Sequence, residues 1–262
     1  MDIEPDLSVC VVARNRETSI GEFLSSLYAT ADPAAVQVIV VDNDSTDNTV
    51  KIIADTFPET IIYENGRQEP AAQAKNRVFQ LARGRYLSFW EPDMIFSPGC
   101  IHRLVNFLDN NPTTGIAGPK ITDPAGMIDY SARSTPTLFS LICTETALGR
   151  MFPGSFRRNR HLLASWDHNS TREVDWLTGA IVIRRETAEE LGQFDEFLSS
   201  GYEDAEYCLR ARRYGWHVHY IHDAGVVRTR SPDCSENLGR GLRFLIKKWF
   251  SCNSRLTLKN FL

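Results

Sequence analysis

Apolar residues in this chain come in short continuous runs, separated by stretches where they recur every three or four positions. Leu7–Ala13 (LSVCVVA) is apolar or small throughout, the pattern of a strand covered on both faces. In RNRETSIGEFLSSLYAT, which follows, Ile20, Phe23, Leu24 and Leu27 repeat at helical spacing, and Thr18 or Ser19 is the expected cap. Residues 36–41 form a second continuous run that ends on DNDSTDNT. A short helix is then expected over 50–57, a strand over 60–63, a helix over 71–82 and a strand over 86–90. Strand and helix alternate throughout this half, which predicts parallel pairing through right-handed crossovers. Polar residues gather at the strands' C-terminal ends, the edge where open α/β sheets bind ligands.

After Pro112 the pattern loosens. GIAGPKI within 112–123 is another expected strand, whereas 129–166 is long, irregular and rich in Ser, Thr, Arg and aromatics. EVDWLTGAIVIRR reads as a strand with a glycine inside it, ETAEELG as a short helix closed by Gly192, YEDAEYCLRARRYG as a helix closed by Gly215, and WHVHYI as a strand. No internal repeat or low-complexity tract interrupts the chain.

Composition narrows the possibilities. A chain of 262 residues with 42% hydrophobic and 24% charged residues buries a core without staples. A net charge of −4 supplies no positive field for nucleic acid. The six cysteines stand far apart with no CxxC pair, as expected of free thiols in a reducing compartment. The N-terminal MDIEPDLSVC carries acids where a secretory signal needs bases, and no apolar run is long enough to span a bilayer, so a cytoplasmic protein is expected.

Candidate chemistry lies at the strand ends. Asp42, Asn43, Asp44 and Ser45 precede a helix, where turn chemistry and capping are the plain explanation. A calcium loop does not fit, because Asp47 and Ile53 stand where it requires glycine and glutamate. A dinucleotide fold lacks its glycine-rich turn after the first strand. Capping alone or a mononucleotide reader remains, and the density of acids favours the reader. SFWEPDMIF reads as an apolar strand finishing on Glu91-Pro92-Asp93, two carboxylates on a rigid proline corner that could hold a hard cation beside a diphosphate. Glu203 and Asp204 open a helix, where they either complement its dipole or act as a general base. Trp176 in VDWLTGA is a core residue or a face for a sugar.

Taken together, VVARN, the stretch 41–49, AKNRVFQLARGRYLSFW, EPD, WLTGAIVIRR and GQFDEFLSSGYEDAEYCLR resemble the glycosyltransferase family 2 enzymes, especially bacterial rhamnosyltransferase-like members. The resemblance spans roughly residues 7–231. It implies an α/β fold of the GT-A type: a single domain with a mostly parallel, Rossmann-like central sheet flanked by helices. On that reading residues 1–237 form the transferase domain, with a nucleotide-binding half at 1–111 and an acceptor half at 112–237. The implied reaction is inverting transfer of a sugar from a nucleotide-diphosphate sugar to a hydroxyl of a cell-surface glycan or lipid-linked acceptor, with dTDP-L-rhamnose ahead of UDP-hexoses as donor. The implied roles place Asp42 and Asp44, with Asn15 and Asn76, on the base and ribose, and Glu91 toward the ribose. Asp93 would ligate Mg²⁺ or Mn²⁺, Trp176, Gly179 and Glu203 would line the sugar or acceptor pocket, and Asp204 would be the base.

The chain departs from that pattern at two places. Glu91 replaces the usual Asn or Asp, and Arg228 in GVVRTRS stands where the family places a metal-binding histidine. A guanidinium can hold a diphosphate bidentately, so Arg228 is expected to assist or partly replace the cation, with His219 or His222 as the ligand if the register shifts. A catalytically inactive nucleotide-binding homologue and a sugar nucleotidyltransferase are the rival functions; the second lacks a glycine-rich basic loop after the first strand. From Arg240 onward there are six Lys or Arg and no acid, and Leu238, Leu242, Leu245, Ile246 and Trp249 repeat at helical spacing. Residues 238–262 are therefore read as a basic amphipathic helix and tail. It packs on the domain or, through 238–250, rests on the inner face of the cell membrane. Arg150, Arg157, Arg158 and Arg160 could meet an acceptor's phosphate.

Overall fold

The computed structural model describes residues 5–32, 35–134, 163, 166–198 and 202–229. In the first half β1 (Leu7–Ala13), α1 (Ile20–Thr30), β2 (Val36–Asp42), α2 (Thr49–Thr56), β3 (Ile61–Glu64), α3 (Ala71–Leu81) and β4 (Tyr86–Trp90) follow one another. Next come β5 (Met94–Phe96), α4 (Cys100–Asn110), β6 (Thr114–Thr122), β7 (Ala132–Arg133), β8 (Arg172–Glu173) and β9 (Trp176–Leu177). After them the chain forms β10 (Ala180–Arg184), α5 (Arg185–Leu191), α6 (Glu203–Arg213) and β11 (His217–Arg228).

The main sheet runs β3-β2-β1-β4-β10-β6-β11-β5, with β8 also paired to β11. Its first four strands are parallel, as the alternation of strand and helix predicts. β10 then enters antiparallel to both β4 and β6, so the sheet as a whole is mixed. The continuous apolar character of β1 follows from period-two geometry with both faces covered. Leu7, Val9, Val11 and Ala13 join one core with Ile20, Phe23, Leu24 and Leu27 of α1 and Leu104 and Leu108 of α4. Cys10 points to the opposite core, with Ala72, Ala74 and Val78 of α3 and Tyr207 and Cys208 of α6. Cys10, Cys100 and Cys208 are buried free thiols, and burial pushes those of Cys100 and Cys208 up to about 12.

Where the chain turns from α3 into β4, Gly84 lies directly against β1, and a Cβ there would sit 2.5 Å from the Ser8 nitrogen. The Ser8 hydroxyl accepts the Gly84 N–H at 2.9 Å and donates to Gln37 at 2.7 Å, which explains a polar residue in an otherwise apolar strand.

Three expectations change in detail. Ser19 stands at the N-cap of α1 but makes no capping bond; the first turn is closed by Ile20 N–H donating to the Arg16 carbonyl at 2.9 Å. EVDWLTGAIVIRR is not one strand, because β9 pairs with β7 in a separate small sheet while β10 belongs to the main one. The break falls at Gly179, whose φ of +82° suits glycine. SFWEPDMIF is likewise two strands: after Pro92 the chain pairs with the end of β11, not with β4.

Residues 238–262, with the proposed basic helix, and Arg150, Arg157, Arg158 and Arg160 lie outside the described residues. Among the described residues no helix is long and apolar enough to cross a membrane.

Candidate active site

Two regions line the C-terminal edge of the sheet. The first is the edge of β1 and β2. The Asn15 side-chain carbonyl accepts the Thr46 N–H at 2.8 Å, and its own N–H donates to the Ser45 hydroxyl at 2.9 Å. Asp42 is buried; one oxygen accepts the Ser45 N–H at 3.1 Å and the other, Oδ1, has no partner. Asp44 is exposed with φ +69°, in the left-handed region that Asp tolerates. Asp47, by contrast, stands just before the N-cap of α2 and accepts the Thr49 N–H at 3.0 Å. Asn43 grips the backbone of Glu69, donating to its carbonyl and accepting its N–H, each at 2.8 Å. Glu69 is itself buried between Arg67 and Arg77, and the Arg77 hydrogen bond holds its carboxyl below the usual glutamate value. This cluster fixes the loop that enters α3.

The second region lies where the end of β4, the break before β10 and the end of β11 converge. The β5–β11 register sets Arg228 opposite Met94, beside Asp93. That register settles which β11 residue stands at the corner. His219 bonds Thr114 and packs at a tilt against Phe107, while His222 bonds Thr171 in a groove against α4, so neither stands at Asp93. The Arg228 guanidinium is buried and held by two carboxylates, Glu91 at 2.8 Å and Asp129. It lies across Gly179, where a Cβ would collide with Nη2. The Glu91 carboxyl is pushed up to about 7, first by loss of water; Arg228 opposes this, and Asp93 and Asp204 add to it. Asp93 is buried, with its carbonyl accepting the Thr229 N–H at 2.8 Å and its Oδ1 without a partner.

Across Gly179 stands the start of α6. One Asp204 oxygen accepts the Gly179 N–H at 3.2 Å; the other accepts Lys75 Nζ of α3 at 2.6 Å. Lys75 also pairs with Glu203 at 3.0 Å, and Glu203 keeps a buried Oε2 without a partner. Burial alone would lower the Lys75 pKa, but Asp204 and Glu203 outweigh it and hold the ammonium above its ordinary value. Both acids are buried, Asp204 at 7% and Glu203 at 5% exposure, so dipole complementarity on a solvated helix does not describe them.

The structure thus brings Glu91, Asp93, Arg228, Gly179, Glu203 and Asp204 to one place, with Asn15, Asp42 and Asp44 at the neighbouring edge. Two residues expected there are placed elsewhere. Asn76 is fully engaged as a peg: its amide donates to the Phe194 carbonyl and Glu196, and its oxygen accepts the Phe194 N–H at 2.9 Å. Trp176 is completely buried, with its indole N–H donating to the Ser134 carbonyl at 3.3 Å, so it supports the site from behind and offers no face to a ligand. Sequence reasoning missed Lys75 and Asp129. Adjacent acids at 203–204 imply a nearby cation, and Lys75 sits inside the AKN stretch already singled out; Asp129 carries no local signal.

An unpartnered buried oxygen on Asp93 beside Glu91 is the donor chemistry that a hard divalent cation takes. Among the described residues no group of three or more His, Cys, Asp or Glu could enclose an ion. The fit is therefore to an ion of the Mg²⁺ kind, bound by one or two carboxylates and completed by phosphate and water.

A sheet whose first four strands are parallel, with an acidic corner at one edge and a buried carboxylate facing it from the second half, is the arrangement of the GT-A fold. The sequence model described as "Glycosyl transferase family 2" matches residues 8–177, and the chain belongs to that family. It is 30% identical over 241 residues to the N-acetylglucosaminyl-diphospho-decaprenol L-rhamnosyltransferase of Mycobacterium tuberculosis, covering 86% of this chain and 76% of the relative. Among solved structures, a mannosyltransferase from Pyrobaculum calidifontis in complex with GDP-Man and Mn²⁺ superposes with TM-score 0.60 at 20% identity, covering 88% of this chain and 58% of its own. GalNAc-T7 with UDP, GalNAc and Mn²⁺ does so with TM-score 0.64 at 16% identity, covering 88% of this chain and 45% of its own. The chain therefore spans about half the length of these two structures, whose likeness carries the fold.

Proposed function

We propose that this protein transfers L-rhamnose, with inversion, from a dTDP-linked donor to a hydroxyl of a lipid-linked glycan. The observation that carries the reading is the buried Asp204 carboxylate, bonded to Lys75 and to the Gly179 N–H and facing Arg228, Glu91 and Asp93 across Gly179. The choice of sugar and acceptor is supported by the rhamnosyltransferase relative.

In this reading Asp42, Asp44 and Asn15 hold the nucleoside at the first edge, with Glu91 toward the ribose. Arg228 meets the diphosphate once the donor displaces it from Glu91 or Asp129. Asp93 would hold Mg²⁺ or Mn²⁺ with Glu91 near, and that ion would supply positive charge to the leaving diphosphate. The acceptor oxygen attacks the anomeric carbon from the Asp204 side. The new C–O bond forms as the sugar–phosphate bond breaks, the hydroxyl proton passes to Asp204 and the electron pair leaves with the diphosphate. Glu203 would line the acceptor side. A lipid-linked acceptor implies work at the inner face of the cell membrane, with residues 238–250 as the contact.

Calorimetric titration of dTDP, UDP and GDP, each with Mn²⁺ and with EDTA, tests the donor class. Preference for dTDP with metal supports the reading, and turnover of dTDP-L-rhamnose onto a GlcNAc-diphospho-lipid completes it. Binding of dTDP that survives EDTA would move the diphosphate work to Arg228. No binding of any of the three would overturn it in favour of an inactive homologue.

A further inference from the structure

We infer that Lys75 is a positioning residue for the transfer step, fixing the Asp204 carboxylate against the Gly179 N–H so that it meets the acceptor hydroxyl in one orientation. The inference rests on the reading of Asp204 as the base.

Three observations carry it. First, the two Asp204 oxygens are tied from opposite sides, one by Lys75 Nζ at 2.6 Å and one by the Gly179 N–H at 3.2 Å. A carboxylate bonded to one group alone can rotate; one gripped at both oxygens by different elements cannot, and a base needs a fixed approach. Second, Lys75 is rigid for its type. Its side chain is only 14% exposed, it bonds Glu203 at 3.0 Å, and its ammonium lies 5.4 Å from the centre of the Phe194 ring. Third, α3 is anchored on both sides of Lys75, at its entry by the Asn43–Glu69 pairing and at the next residue by Asn76, which pins the Phe194 backbone. The helix therefore carries the ammonium from the nucleotide-binding half to the start of α6, a residue separation of 129.

A structural ion pair would not need this arrangement. One ammonium faces two adjacent buried carboxylates, and Glu203 keeps an oxygen unpartnered, so the cluster retains negative charge. Burying unbalanced charge is costly. The groups facing Asp204 are Lys75 from α3, Glu91 from the β4–β5 turn, the Gly179 N–H from the break before β10, and Glu203 and Cys208 on its own helix. Arg228 also lies across Gly179, but it is taken up by Glu91 and Asp129, so Lys75 is the positive charge bonded to Asp204 itself. Without it, Asp204 would stand beside Glu91 and Glu203 with no cation bonded to its carboxylate.

The test compares the wild type with Lys75→Gln, Lys75→Arg and Asp204→Asn. It uses dTDP-L-rhamnose and a GlcNAc-diphospho-lipid acceptor across pH, with dTDP titrated calorimetrically into each protein. Lys75→Gln should lower kcat about 100-fold, within the range that a general base contributes. It should leave dTDP affinity within about threefold and move the acid limb of the kcat profile to higher pH. Lys75→Arg, which keeps the charge, should recover most of the loss and return the limb. Wild-type kcat in Lys75→Gln, or a loss that follows dTDP affinity with the limb unmoved, overturns the inference while an inactive Asp204→Asn leaves the base intact. An active Asp204→Asn instead overturns the base reading beneath it. If the wild type turns over no donor, the crystal structure of Lys75→Gln decides: Asp204 still on the Gly179 N–H sinks the inference, and a rotated Asp204 upholds it.

Discussion

The edge of β1 and β2 and the corner around Gly179 are built by opposite means. At the edge, short polar side chains bond nearby backbone. Asp42 reaches a residue three positions away, and Asn15 crosses only to the loop that follows the adjacent strand. At the corner, charged side chains from separate segments meet, and the ties span 99 residues for Arg228 with Asp129 and 129 for Lys75 with Asp204. Dipolar bonds fix the shape of the first region, whereas opposed charges fix the orientation of the carboxylates in the second. Shape is what recognition of a neutral base requires, and an oriented carboxylate is what proton transfer requires.

Three substitutions test that division, and the corner should give the largest effects. Asp204→Asn keeps the volume but sets an NH2 against either Lys75 or the Gly179 N–H, both of which donate, and removes the proposed base, so kcat should fall by about 10²–10⁴-fold while dTDP affinity changes little. Parallel loss of affinity would show that the corner also recognises the nucleotide. Gly179→Ala comes next. The added methyl would collide with Arg228 Nη2, and the backbone sits at φ +82°. Displacing the guanidinium should lower kcat/KM by roughly tenfold or more, and the backbone should add about 1 kcal/mol of instability in denaturant unfolding. An active, equally stable alanine variant would mean that Arg228 is free to move. Asp42→Ala belongs to the other region and should weaken dTDP binding about tenfold, roughly 1.4 kcal/mol, with kcat at saturating donor unchanged. A fall in kcat there would break the comparison from the other side.

The same difference decides what could be read from the chain beforehand. Apolar runs and helical repeats gave residues 7–90 nearly residue by residue, because each signal is contained in one element and its period reports burial directly, whereas α4 (Cys100–Asn110) was not expected. The strand ends were legible for the same reason: Asp42, Asp44 and Asn15 act within a few residues of their strands. At the corner only the acids announced themselves. Asp129 lies in an irregular stretch, and its meeting with Arg228 depends on the pairing of β11 with both β5 and β6. Asn76 was misplaced because an asparagine's sequence position does not reveal whether its amide faces a ligand or another loop. Trp176 was misplaced because a tryptophan beside a glycine looks alike on a pocket wall and in a core.

Glu69 supplies the smallest and finest test, because it sits in the edge region yet uses the corner's means. It is a buried carboxylate paired with Arg67 at 3.3 Å and Arg77 at 2.9 Å. The Arg77 hydrogen bond, against a smaller opposing effect of burial, lowers its pKa in the folded protein. A depressed carboxylate adds stability that is fully present above its unfolded value, and the addition disappears as pH falls through the folded value. Wild-type stability should therefore drop as pH falls through and below the ordinary glutamate range, and Glu69→Gln should remove that part of the drop. Both arginines keep water on one side, 77% and 43% exposed, so screening limits the loss in Glu69→Gln at neutral pH to about 1 kcal/mol. Donor affinity should hold, because Asn43 binds the Glu69 backbone and not its carboxylate. Urea unfolding of both proteins across acid pH, beside dTDP titration at neutral pH, reads the two effects separately. A Glu69→Gln variant that keeps the full acid drop would show that the ion pairs at this edge carry no linkage. One that loses dTDP binding would show that charge at the edge serves recognition as directly as Asp42 does.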